Sequence, residues 1–344
     1  MSHRIFTELD PFIETLGLLI HSHNLDETRT SIIKELDNLG FIGTDLYSKH
    51  FKIFDKYIST FKKYSVVGAE DKFFFEDIES NHINIITMLM ISNKDFVDKI
   101  DEISSQKINH DIIEYIVESM EISLPDKEIE NLEDIISFLD SNNSLGFNDK
   151  WKIMKMLQNS KYYLKKLISI INNNIDAYAQ AHKSISKQLE KLINQYNETV
   201  TLNGTGLFNE MLKSLTDNID IYPTLAFPAL LIAFEKSCYY GLLSPLVIRG
   251  EKNSKLTQED FLYCLKTLSD KSKMEIIKTL KVSPKYNLEI ANEIGLTAAT
   301  VSYHMAVLLT CGFVSVEKQD GRVYYNLKKD TIKDFIDLME ETLI

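Results

Sequence analysis

The segment from Asn287 to Leu327 constrains the fold more than any other, because its apolar spacing changes period within a short stretch. Leu288, Ile290, Ala291 and Ile294 put apolar groups on one side of a short helix. Gly295 follows, and glycine tolerates the positive φ that ends a helix. Leu296 then plugs the turn, and Thr297 suits the N-cap of a second helix. Val301, Met305 and Leu308 are spaced to give that helix a buried stripe. After Cys311-Gly312-Phe313 the period becomes two: Val314, Val316, Val323 and Tyr325 alternate with polar residues. Asp320-Gly321 between the two runs is a strong hairpin signal. Helix, tight turn, helix and two-stranded wing predict a winged helix-turn-helix.

Such a module points to duplex DNA. Thr297, Ala298, Ala299, Thr300, Ser302, Tyr303 and His304 are expected on or beside the outward face of the second helix. The hydroxyl and imidazole groups among them suit base edges and phosphates in a major groove. Lys318, Gln319 and Arg322 flank the wing tip, within reach of a phosphate or a minor groove. A plain helical hairpin with a polar surface is the bland alternative, and it needs no wing. A wing reused as a protein-binding surface is the competing functional reading.

The same residues resemble a known family. Leu268 to Ile277, LSDKSKMEII, resembles the "LaDptRleIL" opening of the ArsR/SmtB family of bacterial repressors. Thr300 to Met305 resembles its "tvSrHL" recognition helix. Gly312-Phe313-Val314 and Gly321 to Tyr325 resemble its "GLV" and "Gr.vyY" wing elements. Lys273 departs from the pattern, standing where the family has arginine; it keeps the charge without the planar fork. The resemblance implies a transcriptional regulator, in the mode of a repressor, that binds an inverted-repeat operator in double-stranded DNA as a homodimer. It also implies dimerisation through flanking helices. Here that assigns Ile332, Phe335, Ile336, Met339 and Leu343, a stripe on the last helix, to a symmetry mate.

Many relatives in that family sense metals, so the ligand types decide. The first hairpin helix has neither cysteine nor histidine, and the last helix has carboxylates but no histidine. Cys238, Cys264 and Cys311 lie far apart in sequence and suit buried thiols. No metal and no cofactor is expected.

The remainder of the chain is acidic. Net charge is −12, and residues 1–250 carry −11 of it, whereas residues 259–330 hold ten Lys/Arg against nine Asp/Glu. DNA would be repelled by the acidic part, which leaves the winged module as the contact surface. Scarce glycine and proline with periodic apolar runs predict helices near 10–22, 27–38, 44–64, 80–92, 107–120, 126–139 and 147–158. A seam with gaps of four and three runs from Leu164 to Tyr196 and predicts one long helix, in a bundle or a coiled-coil dimer. Residues 219–248 change texture and read as a small antiparallel sheet, followed by a polar linker at 249–255.

The expected chain is therefore mainly α. It has a helical domain over 1–215 for a small-molecule effector or protein partner, a β segment over 216–250 and a winged helix-turn-helix over 256–344. No nucleophile–base arrangement emerges from spacing, so no enzyme is expected. No apolar signal core or membrane span is seen, and an odd count of three cysteines fits a reducing compartment, so a cytoplasmic protein is expected.

Overall fold

The computed structural model describes residues 4–38, 41–68, 71–76, 81–92, 95–120, 132–141, 145–201, 219–229, 231–233, 237–246, 258–296, 301, 304–305, 307–309, 311–319 and 322–344. It is mainly α, as the periodicity predicts. The first helix, Pro11–His23, shows why the boundaries fall where they do. Proline fits the first turn, and Asp10 caps it by accepting from the N–H groups of Phe12 (3.0 Å) and Ile13 (3.2 Å). The helices Leu25–Asn38, Asn81–Ser92, Ser105–Met120, Leu132–Ser141 and Phe147–Gln158 follow the apolar spacing. Asp71–Phe75 and Asp95–Asp98 are too short for periodicity to reveal.

Two predicted helices are broken. The stretch expected as 44–64 divides into Gly43–His50 and Lys52–Tyr64, with Phe51 buried at the joint in a non-helical conformation (φ −90°, ψ 5°). The long seam divides into Ser160–Asn172 and Ile175–Thr201. Buried Asn174 makes the break. Its side-chain oxygen accepts from the N–H of Val66 (2.7 Å), and its amide donates to the carbonyls of Val66 (3.2 Å) and Ile170 (2.9 Å). An asparagine that bonds backbone groups competes with the helical ladder. The seam residues Leu164, Ile171, Tyr178, Ile185, Leu189 and Tyr196 are all buried within the chain's own core, which favours the bundle over a coiled coil.

The β segment departs from a purely antiparallel sheet. The order is Arg4–Ile5, Asp220–Thr224, Ser237–Gly241, Leu231–Ala233. Leu231–Ala233 and Ser237–Gly241 pair antiparallel as expected. Asp220–Thr224 instead runs parallel to Ser237–Gly241, and Arg4–Ile5 adds a further parallel edge through an Arg4–Asp220 ion pair. The burial pattern explains the pairing. Ser237 to Gly241 is buried at every position, and so is Ile221 to Thr224, which is the habit of strands covered on both faces.

One core unites the helices with these strands: Leu16, Phe54, Tyr57 and Leu189 share it with Ile221, Leu225, Cys238 and Tyr240. At its centre Glu14 is buried. One carboxylate oxygen accepts from the Thr224 hydroxyl (2.6 Å) and the Leu225 N–H (3.0 Å); the other accepts from the Tyr57 hydroxyl (2.9 Å) and the Ala226 N–H (3.0 Å). Gly17, one turn on, is needed for this approach, because a Cβ there would lie 2.6 Å from Cβ of Ala226. A second core gathers Phe261, Ile276, Ile290, Val301, Met305, Leu308, Phe313, Val314 and Phe335. Phe41, at the edge of the first core, stacks with Tyr263 of the second at 6.4 Å between ring centroids. Among the described residues no helix is long and apolar enough to cross a membrane. The proposed linker 249–255 lies outside the described residues.

Candidate nucleic-acid interface

The second core belongs to a compact order of elements: helices Gln258–Leu268 and Lys271–Val282, a short strand Lys285–Tyr286, helix Asn287–Ile294, a further helix, strands Val314–Gln319 and Arg322–Leu327, and helix Lys329–Leu343. Asn287–Ile294 starts with a one-sided cap, the Glu289 carboxylate accepting from the Tyr286 N–H at 3.1 Å. It ends at Gly295 with φ +71°, and the Leu296 N–H reaches back to the Ala291 carbonyl (3.0 Å). Ile290 and Ala291 are buried, but Leu288 is 43% exposed and stands off the apolar side that the sequence assigned it.

Val301, His304, Met305, Val307, Leu308 and Leu309 are helical. The helix ends at Gly312, φ +70°, in a Schellman arrangement: the Phe313 N–H donates to the Leu308 carbonyl (3.1 Å), and the Gly312 N–H to that of Leu309 (2.8 Å). Val301, Met305 and Leu308 are fully buried, as their spacing predicts. His304 corrects the sequence reading. Expected on or beside the outward face, it is only 9% exposed, and it stands three and four positions from buried Val301 and Leu308. Thr297, Ala298, Ala299, Thr300, Ser302 and Tyr303 lie outside the described residues.

His304 has charged neighbours that the sequence did not assemble. Asp270 caps Lys271–Val282 by accepting from the Lys273 N–H (2.9 Å), and its carboxylate meets the Lys273 ammonium at 3.5 Å. Lys273 is itself 9% exposed. The Lys273 N–H first, and the Lys273 ammonium after it, hold that carboxyl below its usual range against the effect of burial. Burial first, then the Lys273 charge, lowers the His304 imidazole, while Asp270 opposes them.

The wing is antiparallel in the register that the hairpin signal requires, with Val316 opposite Tyr325 and Gln319 opposite Arg322. Two residues connect Gln319 to Arg322, and Lys318 and Gln319 share the tip with Arg322. Lys285–Tyr286 adds a third strand, opposite Tyr324 and Tyr325, which was too short to be read in sequence.

The last helix divides the proposed dimer stripe. Phe335 is 1% exposed and packs between Phe261 and Phe313, at 5.4 Å from each ring; it belongs to the module's own core, which corrects its assignment to a partner. Ile332 and Met339 pack partly against that core. Ile336 (48% exposed) and Leu343 (71%) remain outside, together with Leu262 (56%) and Leu265 (38%) of Gln258–Leu268. The latter two lie on the flanking helix near Thr257 to Leu268 that the family resemblance also assigns to dimerisation, though the sequence reading did not name them.

Cys238, Cys264 and Cys311 are free and buried. Burial pushes the Cys238 thiol up to about 12. Among the described residues no three His, Cys, Asp or Glu side chains come together as a metal site. The helical domain carries an open cleft of about 250 Å³, lined by Asp10, Phe12, Ile13, Met90, Val97 and Asp98.

A helix–turn–helix closed by a three-stranded wing defines a winged helix-turn-helix protein. The profile of the family described as "Bacterial regulatory protein, arsR family" matches residues 270–316. The "Uncharacterized HTH-type transcriptional regulator YceK" of Bacillus subtilis (strain 168) is 34% identical over 80 residues, which is 23% of this chain and 80% of that protein. No solved structure matches the chain. The chain belongs to the arsR family of bacterial regulatory proteins, and it is a DNA-binding transcriptional regulator.

Proposed function

We propose that the chain is a cytoplasmic repressor that binds an inverted-repeat operator as a homodimer, and that the helical domain controls it. The observation that carries the DNA reading is the inward face of the second hairpin helix. Val301, His304, Met305 and Leu308 occupy the core side. By helical period the opposite side falls to Ser302 and Tyr303, with Thr297, Ala298, Ala299 and Thr300 at the start of the helix. Lys318, Gln319 and Arg322 at the wing tip would add phosphate or minor-groove contacts. Exposed Leu262, Leu265, Ile336 and Leu343 on the two flanking helices support a two-fold interface, because each is apolar and unburied in the single chain.

Control from the helical domain is supported by the Phe41–Tyr263 stack, which joins its core to the helix that carries Leu262 and Leu265. The open cleft at Asp10 and Met90 is where a small-molecule effector would be sought in the helical domain. The domains we propose are 1–215, 216–250 and 256–344, the first two sharing one core.

Gel-shift titration against the chain's own upstream region tests this function. Ser302→Ala should weaken specific binding by roughly 1–3 kcal/mol and relax one base position, whereas neutralising Arg322 should weaken all sequences and lower the salt slope by about one. Asp at Ile336 and Leu343 together should yield monomers. Equal affinity for operator and scrambled duplex would point instead to a winged module that binds protein.

A further inference from the structure

We propose that helices Leu132–Ser141 and Phe147–Gln158 form a docking surface for a second copy of this chain, separate from the flanking helices of the winged module. The two helices pack against each other, and the short connection between them makes them antiparallel neighbours. Their inward sides enter the main core, through Ile135, Phe138 and Leu139 on the first and Ile153, Met156 and Leu157 on the second. Their outward sides are apolar too. Leu132 and Ile136 are exposed one turn apart on the first helix, and Phe147 and Trp151 one turn apart on the second. Phe147 is 87% exposed, so nearly a whole aromatic ring stands in water. Two aromatic and two aliphatic side chains side by side on neighbouring helices make a surface of the kind that another protein covers.

Charge selects the occupant. Glu133 and Asp140 are exposed on the first helix, on either side of Ile136. On the second helix Lys150 and Lys155 are half-buried, with the Lys155 ammonium 5.9 Å from the centre of the Trp151 ring, whereas Asp149 is buried. The face is therefore acidic along one helix and basic along the other. A partner of a single sign would be repelled by half of it. A second copy, turned about a two-fold axis parallel to the helices, sets the acidic helix of each chain on the basic helix of the other, so both halves match. Lys155 stands as far from the start of its helix as Glu133 does from the end of its own, and antiparallel packing brings the two level. Across the two-fold, Glu133 of each copy then meets Lys155 of the other. Phe147 and Trp151 fall against the aliphatic pair of the facing helix, in the dry centre of the contact with the charges at its rim.

The test is a zero-length carbodiimide cross-link, which joins a carboxylate to an ammonium in direct contact. It is applied to an equal mixture of isotope-labelled and unlabelled full chain, with exchange of chains confirmed by native mass spectrometry. Peptides joined through Glu133 and Lys155 should include mixed-isotope pairs, which come only from two chains. Phe147→Asp keeps both reactive groups and alters a side chain outside the core, and it should cut the mixed cross-link roughly tenfold, as loss of a central aromatic anchor does. Glu133→Lys and Lys155→Glu each oppose like charges, so neither alone should give the link. Mixing the two variants makes both contacts complementary again and should restore a mixed-isotope link between positions 133 and 155. A Glu133–Lys155 link confined to single chains would overturn the proposal, and so would a mixed yield unchanged by Phe147→Asp. Failure of the paired variants to recover the link would overturn the two-fold arrangement, and with it the reason for choosing a second copy as the occupant.

Discussion

The two cores of the molecule are built on different principles. The winged module's core is an apolar set, from Phe261 to Phe335, and its Asp270–Lys273 pair sits at the start of a helix, where Asp270 is the cap. The helical domain instead places a carboxylate at the point where its first helix, the Lys52–Tyr64 helix and the end of strand Asp220–Thr224 converge. An apolar core tolerates small shifts in geometry, whereas a buried carboxylate with four donors demands all of them at once. The module that meets DNA is thus held by shape, and the domain proposed to control it is held by a polar hub that a local movement would disrupt.

The largest effect should follow from Glu14→Ala. It leaves the N–H groups of Leu225 and Ala226 and two hydroxyls without their acceptor, at a cost of about 3–5 kcal/mol in the helical domain. Urea melts followed separately in each domain should show the first transition moving alone. A matching shift in the winged module would mean that the two cores unfold as one unit.

Phe335→Ala should be the mirror of that experiment, costing about 3–5 kcal/mol in the winged module for the cavity between Phe261 and Phe313. Ile336→Ala, at the next position but 48% exposed, should leave the isolated fold within about 0.5 kcal/mol. Similar destabilisation by both would show that Ile336 is buried in the assembled protein and unfolds with it.

The pH response of the helical domain sharpens the comparison further. Burial pushes Glu14 up to about 7 against its four donors. The folded domain therefore keeps a proton that the unfolded chain has lost, and stability should fall by about 3 kcal/mol as pH rises from about 4.5 to about 7. His21, packed beside Phe54 and Phe227, is lowered by burial to about 4. The unfolded chain takes up that proton first, so its contribution is lost as pH falls from about 6.5 to about 4. The two slopes oppose each other in the unsubstituted protein. In Glu14→Gln the His21 slope should survive without the opposing Glu14 slope, so stability should climb from about pH 4 to about pH 6.5. A variant profile parallel to that of the parent would rule out Glu14 as the titrating group.

A modest effect is expected at Gly295. An alanine Cβ there meets nothing within 4 Å, so Gly295→Ala should cost only the left-handed conformation, about 1 kcal/mol. Thermal melts of the winged module would reveal a larger loss if the turn were also tightly packed.

The sequence by itself determined the winged helix-turn-helix. Its signals are local: a stripe at Val301, Met305 and Leu308, glycines at the αL positions 295 and 312, and a two-residue hairpin between Gln319 and Arg322. Each is decided by neighbours within one or two turns of chain. Helix positions in the first domain were legible for the same reason, down to the seam that Asn174 divides. Only the tertiary structure decided what depends on distant residues. Helical spacing alone does not tell an inward histidine from an outward one, so only packing placed His304. An apolar stripe does not say whose core it enters, and Phe335 went to its own. Strand direction in the 220–241 sheet depended on how Asp220–Thr224 and Ser237–Gly241 came together across the intervening chain, and the role of Glu14 on donors about 40 and 210 residues away. Periodicity records which side of an element is apolar; which partner covers it is settled by long-range packing and by polar groups that must find their counterparts once water is gone.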